Sequence, residues 1–479
     1  MKSSRIRGFW RHPVTILAAA FLLRLIFALP NLLDNGGAAF ARPDTAGYWE
    51  IGEQLCRDGE MGELTRRVPG YPALIALALR LTSDPANARI MLVLLGIIAS
   101  TLTVLIIYYA AEKFRADTGV AAAYLAALNL TAIANAPMLL TDTVFALIIA
   151  AQLLLTLEFH RSGLWRYYYA AIILAALGTL FRPINLFWIF PLTLLLWLEK
   201  APDWRRKLGH TCGGLLCFAA LLFGQFYHNY RAGAGWTIDT NTGAVYHQNG
   251  AMLRAELYHS DFEIEKELIL REQEAEFADT EHYPDERSRE AYRLRCYRQL
   301  VLAHFPLWLK QQCNFRVLLP DAATLCENLR LTTPNRGTMG VLSKHGLAAA
   351  VKHYFGGRTA LLYVLSPLLL IALATYLGAG AETVRSLFRP EPEYSRWYLL
   401  ALLGAFIVYY LWLPGAIGAP RYQLPALPLI CVLAAGALRL FRPKTSVPAT
   451  GGDKRRHAPN SSPGKAVRKA AAGRSRAGK

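Results

Sequence analysis

The sequence predicts an all-α polytopic membrane protein, and three observations favour this class. Hydrophobic residues make up 54% of the 479 positions, whereas charged residues make up only 18%. Runs such as Met91–Ala111 and Leu361–Leu377 are almost continuously apolar and are long enough, or nearly so, to cross a bilayer core of roughly 30 Å. The formal charge of +18 is concentrated in short loops and in the C-terminal tail. The positive-inside rule explains that distribution, so we predict membrane lipid and not nucleic acid as a partner.

About ten transmembrane helices follow from the apolar runs, with ends accurate to a few residues. Proline ends one helix and starts the next at Arg182-Pro183 and at Asn135-Ala136-Pro137. The first run is longer than most signal-peptide cores, so we interpret it as a retained span. The predicted spans are 14–30, 88–111, 118–136, 139–160, 166–181, 183–199, 207–228, 358–379, 396–413 and 420–440.

Lysine and arginine residues in the loops predict the orientation. If the basic N-terminus is cytoplasmic, the alternate loops that carry most of the Lys and Arg residues are cytoplasmic as well. An even number of spans then returns the C-terminus to the cytoplasm, so both termini are predicted to be inside. The first outer loop breaks the rule, because it contains Arg42, Arg57, Arg66 and Arg67. Cations retained against the rule favour a functional interpretation of that loop.

The chain divides into four predicted parts. Residues 1–228 form an N-terminal transmembrane module of about seven spans, which includes a catalytic first outer loop at 31–87. Residues 229–357 form a mostly helical outer insertion, and residues 358–441 form a C-terminal module of about three spans. Residues 442–479 are rich in Lys, Arg, Ala, Gly and Pro. We predict that this last part is a disordered cytoplasmic tail that touches anionic lipid.

The stretch Phe40–Pro72 in the first outer loop is the strongest candidate for chemistry. Asp44 lies just ahead of a predicted helix that places Tyr48, Ile51 and Leu55 on one face. We expect this helix to lie along the membrane surface, with a basic pair and a rigid Pro-Gly-Tyr-Pro turn beyond it. A carboxylate held at the membrane surface suits a transferase whose donor is anchored in lipid.

Polar residues at other predicted outer helix ends join this stretch. Asp142 starts the fourth span, where two interpretations fit equally well. It is either a residue of the substrate site or a helix cap that accepts amide protons of the first turn. Arg182 is either an interface anchor or a phosphate ligand, because a guanidinium presents a fixed fork of donors. Arg421 and Tyr422 start the last span. Arg24 lies in the middle of the first span, where we expect it to face the bundle interior with a structural partner.

Five short motifs, taken together, resemble those of the GT-C glycosyltransferases. They are Asp-x-x-x-Tyr after the first span, Pro-Gly-Tyr-Pro before the second, Thr-Asp at the fourth, Phe-Arg-Pro between the fifth and sixth, and Arg-Tyr-x-x-Pro at the last. The resemblance depends on the order of these motifs and on their predicted location on one side of the membrane. It is strongest to bacterial relatives of protein O-mannosyltransferases and of the lipid A aminoarabinose transferase. It covers spans one to six and the last span, but not the outer insertion.

The resemblance implies an enzyme of the bacterial inner membrane that takes a sugar from a polyprenyl-phosphate donor. An acceptor hydroxyl, on an envelope lipid, a glycan or a protein, attacks on the outer face with inversion. Asp44 is implied as the general base that receives the hydroxyl proton. The leaving lipid phosphate requires charge stabilisation, which arginines supply. The implied substrate-binding residues are Tyr48, Arg66, Arg67, Tyr71, Asp142, Arg182, Arg421 and Tyr422.

One position departs from the family pattern and bears on metal binding. Many relatives carry a second acidic residue directly after the first-loop aspartate, where this chain has Thr45. Glu50 would replace it only if the loop folds back. The seven cysteines show no zinc-site spacing either. We therefore predict no required divalent metal and no other cofactor.

Two other functions fit parts of the sequence. Ten spans and a basic tail also suit a transporter or flippase of envelope precursors, but the chain has no internal repeat and its polar residues gather at one face. A GT-C ligase or polymerase for surface polysaccharide would share the lipid-phosphate chemistry and differ in its acceptor. The sequence favours the glycosyltransferase.

Overall fold

The computed structural model describes residues 12–62, 65–199, 203–313, 315–331, 338–388, 394–412, 414–415 and 418–438. Within these ranges every regular element is helical, which confirms the predicted all-α class. The predicted tail at 442–479 lies outside the described residues.

The α-helices are numbered in chain order, and short helical turns of other types lie between some of them. The α-helices are α1 (Pro13–Asn35), α2 (Pro43–Asp58), α3 (Gly70–Thr82), α4 (Pro85–Phe114), α5 (Gly119–Ala127), α6 (Leu130–Asn135), α7 (Asp142–Ser162), α8 (Trp165–Phe181), α9 (Ile189–Leu198), α10 (Trp204–Arg231), α11 (Thr242–Val245), α12 (Ala251–Leu257), α13 (Phe262–Phe277), α14 (Glu286–Ala303), α15 (Phe305–Gln312), α16 (Ala322–Asn328), α17 (Thr338–Tyr354), α18 (Ala360–Phe388), α19 (Tyr394–Trp412) and α20 (Leu427–Leu438). The 3₁₀ helices are Ala38–Phe40, Pro183–Trp188, Phe315–Leu318 and Pro420–Ala426, and a π-helical turn spans Tyr246–Gly250.

Six segments of the described chain are long and apolar enough to cross a membrane, judged by length and composition. They are α1, α4, α7, α10, α18 and the segment Pro420–Leu438, which ends in α20. Shorter apolar helices occur at Gly70–Thr82, Pro183–Leu198 and Leu399–Trp412, and α8 has 17 residues. The polytopic character predicted from composition is confirmed.

The predicted span 118–136 is not one continuous helix. The chain forms α5 and the short α6 instead, separated at Leu128 and Asn129. Asn129 is buried, and its side chain accepts a hydrogen bond from the Ala132 N–H at 2.9 Å. An asparagine in this role starts a new helix, because it satisfies one of the amides that have no partner in the first turn.

The first loop (31–87) is more helical than predicted. α2 begins at Pro43, so Asp44 lies in its first turn and not ahead of it. Proline suits that position because its fixed φ matches a helix and its missing N–H is not needed there. Tyr48 and Ile51 are buried on one face, as predicted. The predicted Pro-Gly-Tyr-Pro turn is instead the start of α3.

The last helix lies at the centre of the bundle. α20 is buried from Leu427 to Ala437 and packs against α4, α5, α7 and α18. Burial on all sides suits a helix whose residues are apolar or small all round. The 3₁₀ turn that precedes α20 packs against the start of α7 and carries Arg421. The packing of this central helix thus positions a charged side chain at one end of the bundle.

Arg24 is buried inside the bundle, as predicted, and its bonded partners are neutral. Its guanidinium donates to Ser100 Oγ at 2.6 Å and to the backbone oxygens of Ala126 and Ala127, each at 3.3 Å. These two carbonyls lie in the last turn of α5. Arg24 therefore joins α1 to the end of α5.

The described residues of the insertion (229–357) are largely helical, and some of them are bonded to the rest of the bundle. Thr240 donates its backbone N–H to the carbonyl of Thr65 at 3.1 Å, and the two hydroxyl oxygens lie 2.9 Å apart. Farther along, the Asp321 carboxylate accepts from the Asn135 side chain at 2.8 Å. The insertion is therefore fixed both to the first loop and to α6.

Candidate functional site

Five of the six charged residues predicted for the site converge at the end of the bundle where α7 begins. They come from elements far apart in sequence: the first turn of α2, the segment before α3, the first turn of α7, the residue after α8 and the 3₁₀ turn before α20. Their ion pairs and electrostatic contacts form one network of Asp44, Arg67, Asp142, Arg182 and Arg421.

Asp44 is the centre of this network. Its Oδ1 accepts from Arg67 Nη2 at 3.1 Å, and its Oδ2 pairs with Arg421 Nη2 at 2.5 Å. One arginine comes from the first loop and the other from a position 377 residues away. Burial raises the pKa of Asp44, but Arg421 and Arg67 together outweigh it, so the pKa lies below the ordinary value. The carboxylate is therefore held ionised while 38% of its side chain stays exposed.

Asp142 and Arg182 form a second pair beside the first. Asp142 Oδ1 lies 3.0 Å from Arg182 Nη2, and Arg182 Nε donates to Thr141 Oγ1 at 3.2 Å. Asp142 is buried and lies in the first turn of α7, but no side-chain cap bond is formed at this helix start. Its charge also acts on Arg421. The ion pair with Arg182 thus takes the place of a cap, and the substrate-binding role of Asp142 stays a prediction.

Three tyrosines lie among the arginines. The Arg67 guanidinium lies 4.6 Å from the centre of the Tyr48 ring, and Tyr71 packs edge-on against Tyr48 with 5.6 Å between ring centres. On the other side, the Tyr422 ring is 5.3 Å from the Arg421 guanidinium and 5.7 Å from that of Arg182. Contacts between cations and aromatic faces are attractive, so these rings help to hold the arginines in place.

Two residues considered from sequence are not brought into this network. Arg66 is exposed, and its charge acts on His247 of the insertion. Glu50 is exposed on α2, six positions after Asp44, which places it about 120° around the helix from that carboxylate. The structure thus distinguishes Arg67 from its neighbour Arg66, which the sequence alone did not rank.

Thr45, the departure from the family pattern, has a structural role that sequence reasoning missed. Its hydroxyl donates to the Leu139 carbonyl at 2.9 Å and accepts from the Arg42 N–H at 2.9 Å. Leu139 returns a backbone bond to Phe40 at 3.1 Å. These bonds tie the start of α2 to the segment before α7, so they hold Asp44 and Asp142 on the same end of the bundle. Its position three residues after Arg42, as in a capping box, was the available signal.

A glycine brings the two arginine-bearing segments together. A Cβ on Gly70 would lie 2.6 Å from the Leu180 carbonyl oxygen, which is too close for any other residue. Gly70 starts α3 just after Arg67, and Leu180 lies near the end of α8 just before Arg182. The close approach of α3 and α8 therefore brings Arg67 and Arg182 to the same end of the bundle.

A cavity of about 460 Å³ lies next to this close approach. It is bounded by the end of α2, by Pro69, by Leu180 and by a face of α10 that includes Leu221 and Gly224. Pro69 and Leu180 are each two positions from an arginine of the network. The cavity is therefore adjacent in the chain to both Arg67 and Arg182.

Among the described residues, no group of three or more His, Cys, Asp or Glu side chains is arranged to hold a metal ion. Both oxygens of Asp44 already have arginine partners, and the Thr45 hydroxyl is bonded twice. Asp44 thus already has two guanidinium cations around it, and their positive charge disfavours a metal cation beside them.

Comparison with known proteins places these residues in a wider context. The family described as Dolichyl-phosphate-mannose-protein mannosyltransferase matches residues 66–223, a range that includes Arg67, Asp142 and Arg182 but neither Asp44 nor Arg421. Among curated proteins, none matches the sequence.

Solved structures share the fold at low sequence identity. The oligosaccharyltransferase AglB from Archaeoglobus fulgidus, in complex with an inhibitory peptide and a dolichol-phosphate, is 14% identical with a TM-score of 0.51, over 91% of this chain and 50% of that one. The same archaeal enzyme tethered to an acceptor peptide gives 14% identity and a TM-score of 0.50, over 89% and 49%. This chain therefore spans about half the length of the archaeal enzyme. ArnT from Cupriavidus metallidurans, bound to undecaprenyl phosphate, matches at 15% identity over 88% and 76%, with a TM-score of 0.36 that carries no argument about the fold.

Proposed function

We propose that this chain, a relative of the GT-C glycosyltransferases, transfers a sugar from a polyprenyl-phosphate donor to an acceptor hydroxyl at the outer face of a bacterial inner membrane. One observation carries the proposal: a partly exposed carboxylate, Asp44, is held by two arginines at the end of an apolar bundle. A carboxylate and cations in contact are what hydroxyl activation and phosphate departure require together.

The proposed reaction is a single inverting displacement. Asp44 accepts the proton of the acceptor hydroxyl while that oxygen bonds to the anomeric carbon of the sugar. The bond between the anomeric carbon and the phosphate oxygen breaks on the opposite face, and the electron pair leaves with the lipid phosphate. Arg421 and Arg67 stabilise the charge that develops on this phosphate. No acid is needed, because a phosphate leaves as an anion.

The contacts of Asp44 also suggest how its basicity changes during the reaction. A carboxylate with a lowered pKa is a weak base, and Asp44 is in that state while Arg421 and Arg67 hold it. A lipid phosphate that takes up these arginines withdraws charge stabilisation from Asp44, and its pKa then rises. Donor binding thus prepares the base, so the site is most basic when the sugar is in place.

The lipid chain of the donor requires an apolar surface next to the phosphate site. The cavity beside Pro69 and Leu180 is adjacent in the chain to Arg67 and Arg182. Its lining is more apolar than polar, with Leu55, Met61 and Leu221 among the apolar residues and Glu60, Gln225 and His228 among the polar ones. We assign the first isoprenoid units of the donor to this cavity. Replacing Gly224 with a bulky residue such as Trp is expected to raise the KM for the donor, since space around Gly224 is open.

The proposal is tested by mass analysis of lipid-linked sugars and envelope glycans in a strain that lacks the gene. We expect a lipid-linked monosaccharide to accumulate. Wild-type protein and the matched control Glu50→Gln, which alters an exposed acid of the same helix, should both clear it, and Asp44→Asn should not. Unchanged lipids and glycans with a lost solute uptake would contradict the transferase and favour a transporter.

The proposed orientation has its own test. In the proposed orientation Asp44 lies outside and both termini lie inside, so the turn between α7 and α8 is also inside. A cysteine introduced by Glu50→Cys should react with a membrane-impermeant maleimide in intact spheroplasts, above the background of the native cysteines. One introduced by Ser162→Cys should react only after permeabilisation. Labelling of both from the same side would contradict the orientation.

A further inference from the structure

The insertion brings a second carboxylate to the neighbourhood of Arg67. Thr240 and Thr65 are bonded through both backbone and hydroxyl groups. Asp239 directly precedes Thr240, and Arg67 follows Thr65 by two residues. The positive charge of Arg67 acts on Asp239 as a result. Arg67 therefore contacts Asp44 directly and lies within electrostatic range of Asp239.

The Asp239 carboxylate lies in an environment that disfavours its charge. Burial raises the pKa of Asp239 to about 6, and Glu290 of α14 adds to this, while the Asn241 N–H and Arg67 oppose it. Glu290 is fixed in place, since it accepts from the Gly243 N–H at 3.0 Å and also pairs with Arg293 of its own helix. Asp239 is thus an acidic residue that gains or loses its charge near neutral pH, beside an arginine of the site.

We propose that Asp239 is a positioning residue for Arg67, which weakens the hold of Arg67 on the lipid phosphate and thereby promotes release of that product. The inference rests on the proposed function. The Asp239 carboxylate attracts the Arg67 guanidinium and so competes for it with a phosphate bound near Asp44. It also repels the phosphate itself, because both carry negative charge.

The negative charge of Asp239 also acts on Asp44, the proposed base. An ionised Asp239 raises the basicity of Asp44, since it offsets part of the Arg67 charge that lowers the Asp44 pKa. Removal of the Asp239 charge should therefore strengthen lipid-phosphate binding and slow turnover. A residue with a purely structural role would not separate these two quantities.

The test is the affinity for undecaprenyl phosphate in detergent, measured by microscale thermophoresis on the full chain from pH 5 to 8. Lipid phosphate itself titrates in this range, so each variant is compared with wild type at the same pH. The dissociation constant of wild type divided by that of Asp239→Asn should be near one at pH 5. It should rise to roughly fivefold at pH 8, as expected for one screened charge.

Two variants serve as controls. Asp239→Glu retains the carboxylate and should stay near wild type at every pH. Glu281→Gln removes an exposed acid elsewhere in the insertion and should leave the ratio at one throughout. A ratio for Asp239→Asn that is flat with pH, or weaker binding by this variant, would overturn the inference alone. Failure of wild type to bind the lipid phosphate at all would overturn the proposed function as well.

Discussion

Two carboxylates that pair with arginines, Asp142 and Asp44, lie at the same end of the bundle and differ in exposure. The Asp142 side chain is 4% exposed and has one arginine, Arg182. The Asp44 side chain is 38% exposed and has two arginines, from opposite ends of the chain. A buried pair holds helices together, whereas an exposed one can exchange its partners with a substrate. The comparison teaches that burial, more than residue type, separates an acid that holds helices together from one that a substrate can reach.

The largest difference is expected between the arginines of the two pairs. Arg421→Gln should lower the turnover number about 10²–10³-fold, because it removes a cation from the proposed leaving phosphate. Arg182→Gln should lower it less and reduce stability more, since Arg182 is already paired with the buried Asp142. Transfer of labelled sugar from a polyprenyl-phosphate donor to membranes of the deletion strain measures both effects. Equal losses in the two variants would remove the distinction between the pairs.

Breaking the buried pair should affect stability first. Asp142→Asn leaves Arg182 without its carboxylate and should cost about 1–3 kcal/mol, which is less than for a fully buried pair because Arg182 keeps some exposure. Thermal unfolding of the detergent-solubilised protein measures the change. The double variant Asp142→Asn, Arg182→Gln should recover part of the loss, and a double-mutant cycle without coupling would contradict the pairing.

Acid should weaken the exposed pair in a defined window. The folded-state pKa of Asp44 is below its ordinary value of 3.8. Its ion pairs therefore stabilise the fold fully above that value, and this contribution is lost as pH falls through the lowered pKa. The difference in unfolding temperature between wild type and Asp44→Asn should be small and constant from pH 5 to 8, and should shrink below pH 4. A difference that grows in acid would contradict the assigned contacts.

The smallest effect is expected from metal removal. Arginines hold both oxygens of Asp44, and the position next to it is Thr45 instead of a second acid. Treatment with EDTA should change the transfer rate less than about twofold, because charge on the phosphate is met by guanidinium groups. Loss of transfer on chelation, restored by a divalent cation, would show that a metal replaces part of the arginine contacts. A sulfate salt at the same ionic strength as the EDTA is the control for effects of added anions.

Sequence predicted which charged residues converge better than it predicted their contacts. Asp44, Asp142, Arg182 and Arg421 were identifiable because each lies where a predicted span begins or ends on one side. Their pairing depends on the central position of α20, which brings Arg421 to Asp44 across the whole chain. No local pattern encodes such packing.

Other misses have equally specific causes. The break between α5 and α6 depends on a buried cap at Asn129, which an apolar run conceals. Arg66 and Arg67 are adjacent, so only the conformation of the loop decides which of them reaches Asp44. Asp239 belongs to an insertion without a motif, and only its bond through Thr240 brings it to the site.

Single-turnover transfer by purified protein tests the central claim most directly, with Asp44→Asn and Asp142→Asn measured side by side. We predict that Asp44→Asn keeps its fold and loses sugar transfer by about 10³-fold or more, as expected for removal of a general base. Asp142→Asn should unfold at a lower temperature and retain measurable transfer. Full transfer by a folded Asp44→Asn protein would contradict the assignment of Asp44 as the base.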